Sequence, residues 1–318
     1  MTTPAPRPGA EGLRRLAFPA LGTSCEVQYV APKGDGQAAA FEQAVRDWVL
    51  RFEAKYSRFR PDSLVSRINA AAGRDWVELD ADAENLFQIC EVVHRTTDGI
   101  IDPTALPLLR LWDYKAAVPR IPSAEEIAVA RTRVGWPKVQ RERGCIRLPE
   151  PGMALDLGGI GKEYAVDVVT QIALQRGLGA VLVDFGHDLR GCGAPPTRVA
   201  WHVGLEDPKR PGVAAGTVAL SDRAIASSGD YLRCFHHEGR RYGHIIDPRT
   251  GYPVANGCLQ ATVIAPTCLQ AGVLATAAFV LGSTRGIELI QSCPGAEGLI
   301  LTDRARAQTR AFYTYVAS

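Results

Sequence analysis

The spacing of apolar residues predicts five helices in this chain. Between residues 37 and 57 they recur at steps of three and four, which is the repeat of a helix that buries one face. The same repeat over residues 80–97 predicts a second helix. A third begins at Ser123, because Ser123 and Glu126 form a capping box in which each side chain satisfies the other's backbone amide. The last two are predicted over residues 159–175 and 269–281.

Short apolar runs between these helices predict β-strands. Many of the runs follow one another without a helix between them. That order favours an α+β fold, with largely antiparallel sheets that carry helices on one side, over a doubly wound parallel sheet. We expect a flexible tail over residues 1–15 and a single domain over residues 16–318. The strands are predicted over residues 25–30, 145–148, 180–184, 199–205, 217–220, 241–246 and 261–264.

Composition narrows the classes of partner. The net charge is only +2 and no basic stripe is present, so nucleic acid is not expected to bind, and a small molecule or a protein is the expected substrate. The most apolar run, residues 271–282, is shorter than the ~20 residues that a membrane span needs, and predicts a core helix. No apolar signal segment follows the N-terminal charges, so we expect a cytoplasmic protein. Eight cysteines without C-x-x-C spacing argue against a zinc ribbon or a dithiol site.

A glycine-rich segment leads into the predicted fourth helix. Residues 154–165 read ALDLGGIGKEYA, and backbone amides at the start of such a helix can bind an anion, with Lys162 beside them. The segment is not a P-loop, because Asp156 and Glu163 stand where that motif needs a glycine and a hydroxyl. A turn that needs small residues only for close packing is the alternative.

Three other segments concentrate polar groups. Residues 183–193, VDFGHDLRGCG, predict a strand that ends in a glycine-rich loop without a dinucleotide fingerprint. Residues 227–231, SSGDY, predict either a ligand-binding rim or a turn. In residues 242–253, YGHIIDPRTGYP, His244 lies in a predicted apolar strand and is either a buried core histidine or a catalyst. Together with Cys234, His236 and His237 it lacks the spacing of a structural zinc site.

Taken in order, the segments of this chain resemble the FAD:protein FMN transferase family, the ApbE-type flavin transferases. The resemblance implies an α+β fold of two lobes with the flavin site between them. It also implies an enzyme that uses FAD and Mg²⁺, joins FMN to a Ser or Thr in an acceptor loop of a target protein, and releases AMP. The matching segments, from Phe18 to about Gly282, are LGT (21–23), SRFRPDS (57–63) with Asn69, DGIIDPT (98–104) with 107–108 and Trp112, DLGGIGK (156–162), GHD (186–188), SGDY (228–231), HIIDPRTG (244–251) and AGVLAT (271–276).

The resemblance assigns roles to single residues. His244 matches the catalytic histidine, whose neutral imidazole can accept the proton of the attacking hydroxyl. Asp247 is expected to orient His244 or to shape the turn, and Lys162 to neutralise the anionic pyrophosphate and the leaving AMP. The residues implied to bind FAD, besides Lys162, are Thr23, Asp102, Thr104, Gly158, Gly159, Asp188, Ser228, Gly229, Asp230, Arg249 and Thr250.

The implied Mg²⁺ site departs from the family pattern. The family holds the ion with an Asp, a Thr and a backbone carbonyl; here Thr276 and the carbonyl of Gly161 are kept, and Gly272 replaces the Asp. One alternative is that the metal has been lost, which would leave a flavin-binding protein without turnover. The other is that the metal contact has passed to Glu163, His187 or Gln270. A separate alternative concerns the acceptor: with water in place of a protein hydroxyl, the same site would be an FAD pyrophosphatase that releases FMN and AMP.

Overall fold

The computed structural model describes residues 12–31, 36–116 and 118–317. Within these ranges the helices are α1 (Gly36–Tyr56), α2 (Leu64–Ala70), α3 (Ala81–Thr96), α4 (Leu106–Leu111), α5 (Ala124–Thr132), α6 (Gly161–Gln175), α7 (Cys268–Leu281) and α8 (Ser283–Ser292). The strands are β1 (Leu13–Ala20), β2 (Thr23–Val30), β3 (Val77–Glu78), β4 (Gln140–Glu142), β5 (Cys145–Arg147), β6 (Val181–Phe185), β7 (Asp188–Cys192), β8 (Trp201–Glu206), β9 (Ala214–Leu220), β10 (Arg223–Gly229), β11 (Cys234–His237), β12 (Arg240–Gly243), β13 (Ile246–Asp247), β14 (Tyr252–Pro253), β15 (Cys258–Ala265), β16 (Glu297–Thr302) and β17 (Arg306–Gln308).

One eight-stranded sheet is the framework of the fold. Its order is β1-β2-β6-β7-β10-β15-β16-β17, and every neighbouring pair is antiparallel. Side chains of one strand alternate between its two faces: Val183 packs into the core under the helices, whereas Leu182 packs into a second core. Helices α1, α6, α7 and α8 cover the first face. The hairpin β8–β9, with Phe312, covers the second.

A smaller third core supports the turn that follows His244. It joins α4 and α5 to the hairpins β11–β12 and β13–β14, with Trp112, Ile127, Phe235 and Ile246 buried together. The Trp112 indole donates a hydrogen bond to the Gly251 carbonyl oxygen at 2.9 Å. The third core thereby holds this turn in place through Trp112.

The α+β prediction is confirmed, and all five predicted helices are present as α1, α3, α5, α6 and α7. The capping box of α5 forms in both directions. Helices α2, α4 and α8 were not predicted. Helices α2 and α4 have only seven and six residues, and so show too little of a repeat. The apolar run 271–282 is a buried helix, as expected.

Three sequence predictions need correction. The strand predicted over residues 241–246 ends at Gly243, so His244 lies in a bend between β12 and β13. Residues 183–193 form a tight hairpin rather than a loop. Gly186 and His187 both have positive φ, 59° and 71°, which is the two-residue turn that matches strand twist. Residues 13–15 belong to β1 and pair with β2, so they are not part of a tail; residues 1–11 lie outside the described ranges.

No helix in the described ranges is both long and apolar enough to cross a membrane.

Gly251 offers a test of how far the turn depends on its support. Its φ is +83°, and a Cβ there would lie 2.6 Å from Ile127 Cγ2. Gly239 has a similar φ of +75° with no atom near such a Cβ, so it is a matched control. We expect Gly239→Ala to lose about 1–2 kcal/mol from left-handed strain alone. Gly251→Ala should lose about 1–3 kcal/mol more through overpacking. Urea unfolding of both variants measures this difference; equal losses would contradict it.

Candidate active site

The turn after His244 is held by its own carboxylate. Asp247 accepts two hydrogen bonds from the Arg249 guanidinium, both at 2.9 Å, and one from the Arg249 backbone amide at 3.0 Å. The amides of Thr250 and Gly251 donate to the Asp247 carbonyl oxygen at 3.1 and 2.8 Å. Arg131 of α5 donates to the Arg249 carbonyl oxygen at 2.6 Å. These contacts of Asp247 are thus those that shape the turn.

His244 is a neutral histidine in this environment. Its Nδ1 is buried without a hydrogen-bond partner among the described residues. Burial, together with the positive charge of Arg233, lowers the pKa of His244 to about 4, against a smaller opposing effect of the Arg233 backbone. The ring of Tyr114 lies 5.8 Å from the imidazole, centroid to centroid. At neutral pH the imidazole thus has a free lone pair, which is the requirement for a general base.

The glycine-rich segment before α6 is anchored by the SRFRPDS region. Asn69 exchanges two hydrogen bonds with the backbone of Leu155, at 2.6 and 3.0 Å. Arg58 pairs with Asp156 at 3.1 Å, and the other Asp156 oxygen accepts from the Gly158 amide at 3.0 Å. Gly158 and Gly159 are exposed. The SRFRPDS region and Asn69 thereby hold the glycine-rich segment so that the backbone of Gly158 and Gly159 is open to solvent.

Helix α6 begins just after these glycines and has no side-chain cap. Its first backbone amides, with the positive end of the helix dipole, favour an anion. Lys162 lies in this first turn, and its ammonium forms an ion pair with Asp188 at the start of β7. Thr23 packs against Gly186 in the adjacent hairpin turn. The helix start therefore combines backbone donors with a positioned cation.

Asp102 and Thr104 are structural in their contacts. Asp102 accepts from the Thr104 amide and hydroxyl at 2.7 and 2.6 Å and from the Trp136 amide at 3.0 Å. The pKa of Asp102 is lowered by these bonds and by His94, against the opposing effect of its burial. Thr104 is fully buried and accepts from the Gly135 amide at 2.7 Å. These two side chains organise the loop before α4 and have little capacity left for a ligand.

The end of β10 contacts both α7 and the segment that carries His244. Ser228 is hydrogen-bonded to Thr276 of α7, hydroxyl to hydroxyl, at 2.7 Å. Two residues on, Asp230 is buried, pairs with Arg241 at 3.0 Å and packs against Gly243, the residue before His244. Burial raises the pKa of Asp230, and Arg241 opposes that rise. Gly229 between them leaves no room for a side chain, because a Cβ would lie 2.9 Å from the Leu259 carbonyl oxygen.

The residues proposed for a metal contact lie in different places. Glu163 is 7% exposed, and its Oε2 is buried without a hydrogen-bond partner in the described part of the chain. It packs directly against Gly272. His187 is exposed on the hairpin turn, with its Nδ1 4.0 Å from an Asp184 carboxylate oxygen, and partial desolvation lowers its pKa. Gln270 is two residues from Gly272, so the helical repeat turns it to another face of α7.

These side chains fit a hard cation only in part. Within the described residues no group of three or more His, Cys, Asp or Glu side chains is placed to hold a metal. Glu163, with its unpaired oxygen, lies against α7 one turn from Thr276, whose hydroxyl contacts Ser228. Oxygen donors of this kind suit Mg²⁺, which commonly keeps one or two carboxylates and completes its shell with water and phosphate.

The sequence did not identify the arginines that serve this site. Arg58, Arg233 and Arg241 contact or influence Asp156, His244 and Asp230 respectively. Arg58 lies in a recognisable segment, but Arg233 and Arg241 lie on a hairpin among other charged residues. The proximity of Arg233 to His244 and of Arg241 to Asp230 depends on the pairing of β11 with β12.

Solved structures share this architecture over nearly the whole chain. The ApbE protein of Thermotoga maritima superposes with a TM-score of 0.86 and 31% identity, over 96% of this chain and all of the other. The flavin transferase ApbE of Vibrio cholerae gives 0.84 and 26% identity, over 95% of this chain and 99% of the other. The architecture is thus that of the flavin transferases.

The model of the ApbE family matches residues 21–300, and the chain belongs to that family. The FAD:protein FMN transferase of Treponema pallidum is 29% identical over 307 residues, which covers 92% of this chain and 85% of the relative. The enzyme of the same name from Vibrio cholerae is 28% identical, covering 87% and 84%. The resemblance predicted from the sequence is confirmed.

The neutrality of His244 can be measured directly. We expect its imidazole in the free protein to titrate well below the ordinary histidine value, at about 4, when ¹⁵N-histidine spectra are followed from pH 8 to pH 4. The His244→Gln spectrum assigns the signal among the six histidines. In Arg233→Gln the pKa should rise but stay below 6.5, because burial, the larger cause, is retained. A His244 pKa of 6.5 or above in the unaltered protein would contradict this description.

Proposed function

We propose that this protein transfers the FMN part of FAD to a Ser or Thr hydroxyl of a target protein and releases AMP. The observation that carries the proposal is His244, a neutral imidazole with an unpaired buried nitrogen just before the turn built by Asp247 and Arg249. Its relatives, named FAD:protein FMN transferases, match the chain over most of its length. The acceptor is a protein, because such relatives are named for protein substrates.

His244 acts as the general base. The acceptor oxygen attacks the phosphorus of the FMN half, and the bond from that phosphorus to the bridging oxygen breaks, so that the electron pair leaves with AMP. The proton of the attacking hydroxyl passes to the imidazole of His244. A pKa of about 4 would make His244 a weak base. The negative charge of bound pyrophosphate raises the pKa of a nearby imidazole, so substrate binding moves His244 toward a useful value.

Lys162 and the start of α6 stabilise the anionic groups. The uncapped amides of α6, the exposed backbone of Gly158 and Gly159, and the ammonium of Lys162 offer donors and positive charge to the pyrophosphate and to the leaving AMP. Asp188 positions Lys162 through their ion pair. Ser228, Gly229 and Asp230 at the end of β10 are proposed to line the flavin site between this region and His244.

Mg²⁺ is proposed as the metal of the site. Thr276, the carbonyl of Gly161 and a carboxylate beside them would hold it, and when bound it supplies positive charge to the pyrophosphate oxygens. Asp102, Thr104 and Asp247 are proposed as positioning residues, since their side chains bond within the protein. Arg249 and Thr250 lie at the rim of the turn, where Thr250 is exposed. Thr23, which lies against the β6–β7 turn at Gly186, is proposed to contact the flavin.

A cytoplasmic location is proposed as well. The eight cysteines are all thiols in this structure, which suits a reducing compartment.

The test is mass spectrometry of an acceptor domain that carries a Ser/Thr-Gly-Ala-Ser/Thr loop, incubated with this protein, FAD and Mg²⁺. We expect the acceptor to gain the mass of FMN, and His244→Ala to reduce the rate by roughly 10²–10⁴-fold, the usual contribution of a general base. His237→Ala is the matched control: it removes an exposed histidine of β11 and should leave transfer intact.

The same reactions are assayed for free FMN and AMP. FMN and AMP released without acceptor modification, from several acceptor domains, would favour the pyrophosphatase over the transferase. Bound FAD that stays intact would leave a flavin-binding protein.

A further inference from the structure

A glycine stands in the middle of a buried helix. Gly272 is the fifth residue of α7 and is buried, although a glycine inside a helix costs about 0.5–1 kcal/mol relative to alanine. A Cβ at this position would lie 2.6 Å from Glu163 Cγ and 3.3 Å from both Cδ and Oε1 of the same side chain. The space that a side chain at 272 would use is therefore filled by Glu163 from α6.

The contact between these two helices is rigid. Asp167, one turn after Glu163 on α6, accepts hydrogen bonds from the amides of Cys268 and Leu269 at the start of α7, both at 2.9 Å. Arg190 of β7 pairs with the same carboxylate at 2.7 Å. The start of α7 is thus tied to α6, and Glu163 is held over Gly272.

The Glu163 carboxylate has no adequate partner. Its Oε1 is 3.8 Å from the Lys162 ammonium, but that ammonium is already paired with Asp188. Its Oε2 has no hydrogen bond among the described residues, although the side chain is about nine-tenths buried. A buried carboxylate without partners is costly, so the arrangement indicates a positive group that the chain itself does not supply.

Hydroxyl groups lie on the face of α7 against which Glu163 packs. Thr276 follows Gly272 by four residues, so it lies on the same face of α7, and it shares a hydrogen bond with Ser228 at 2.7 Å. Carboxylate and hydroxyl oxygens suit a hard divalent cation. His187 and Gln270 do not share this position.

We propose that Glu163 is the carboxylate ligand of the divalent cation in this protein. Gly272, which has no side chain, leaves the room that the Glu163 side chain needs to reach that position. This deepens the proposed function, on which it rests for the identity of the ion as Mg²⁺. In relation to the family pattern given above, the carboxylate is supplied by α6 instead of α7. Because this cluster would offer the cation a single carboxylate, phosphate oxygens of a bound nucleotide would be needed to complete its coordination.

The first test measures Mn²⁺ binding to the full chain by the loss of the free Mn²⁺ electron paramagnetic resonance signal, with saturating ADP as the pyrophosphate probe. Glu163→Gln keeps the shape and removes the charge; we expect roughly 100-fold weaker binding. Glu288→Gln, the same change on exposed α8, is the matched control and should bind as the unaltered chain does. Mn²⁺ binding equal in Glu163→Gln and the unaltered chain, or none in the unaltered chain with ADP, overturns the proposal.

A second readout separates a ligand from a structural charge. In EDTA, Glu163→Gln should melt at the same temperature as the unaltered chain or higher, because the neutral amide relieves an unpaired buried charge. With Mn²⁺ and ADP the order should reverse, since the ligand stabilises only the chain that binds it. A lower melting temperature of Glu163→Gln in EDTA, with no change of order on adding Mn²⁺, would mean a purely structural role and overturn the proposal.

Exchange of the two residues tests the shared position. Gly272→Asp alone should be overpacked against Glu163 and melt at a lower temperature. Glu163→Gly combined with Gly272→Asp should regain Mn²⁺ binding to within about tenfold. A double variant that binds as weakly as Glu163→Gln contradicts the shared position. Transfer by the unaltered enzyme with unchanged Mn²⁺ binding in Glu163→Gln would leave the proposed function standing and remove this inference; Glu163-dependent binding without transfer would do the opposite.

Discussion

The register of β10 is the constraint on which the site depends. This strand pairs with β7 on one side and β15 on the other, and its side chains alternate between the two faces of the sheet. Ala226 faces the core under the helices and Ile225 the other core, so Ser228 faces α7 and meets Thr276. Ser227 turns the other way and pairs with Thr262 at 2.6 Å. A slip of one residue would exchange these faces and separate the hydroxyl pair.

Polar groups left unsatisfied are concentrated where the chemistry is proposed. Five buried side-chain atoms in the described ranges have no hydrogen-bond partner, and three of them belong to Glu163, Asp230 and His244, although the Asp230 oxygen keeps its ion pair with Arg241. Buried polar groups in native proteins are nearly always paired, so such exceptions need an explanation. The other two belong to Arg147 and Arg190, whereas the capping box of α5 and the Asp247 turn satisfy their polar groups locally. The site is therefore where most of these exceptions lie.

The sequence predicted the fold class and the segments of the site because both depend on local patterns. Long helices such as α1 show many turns of one repeat, and the segments around Lys162 and His244 have distinctive order. It could not predict which carboxylates are free. Asp102, Asp247 and Glu163 look alike in sequence, yet the first two are bonded within the protein and the third is not. Nor could it show that the glycine at 272 and the glutamate at 163 touch, since that contact depends on how α6 and α7 pack.

The contact between Glu163 and Gly272 also restricts how such a pair can change over generations. A chain that carried side chains at both positions would be overpacked, whereas one with glycine at both would fold around a small empty space. Exchange between the two arrangements therefore passes through a destabilised chain on either route, and the doubly empty state also lacks the carboxylate. The two positions are thus expected to change as a linked pair among descendants of this sequence.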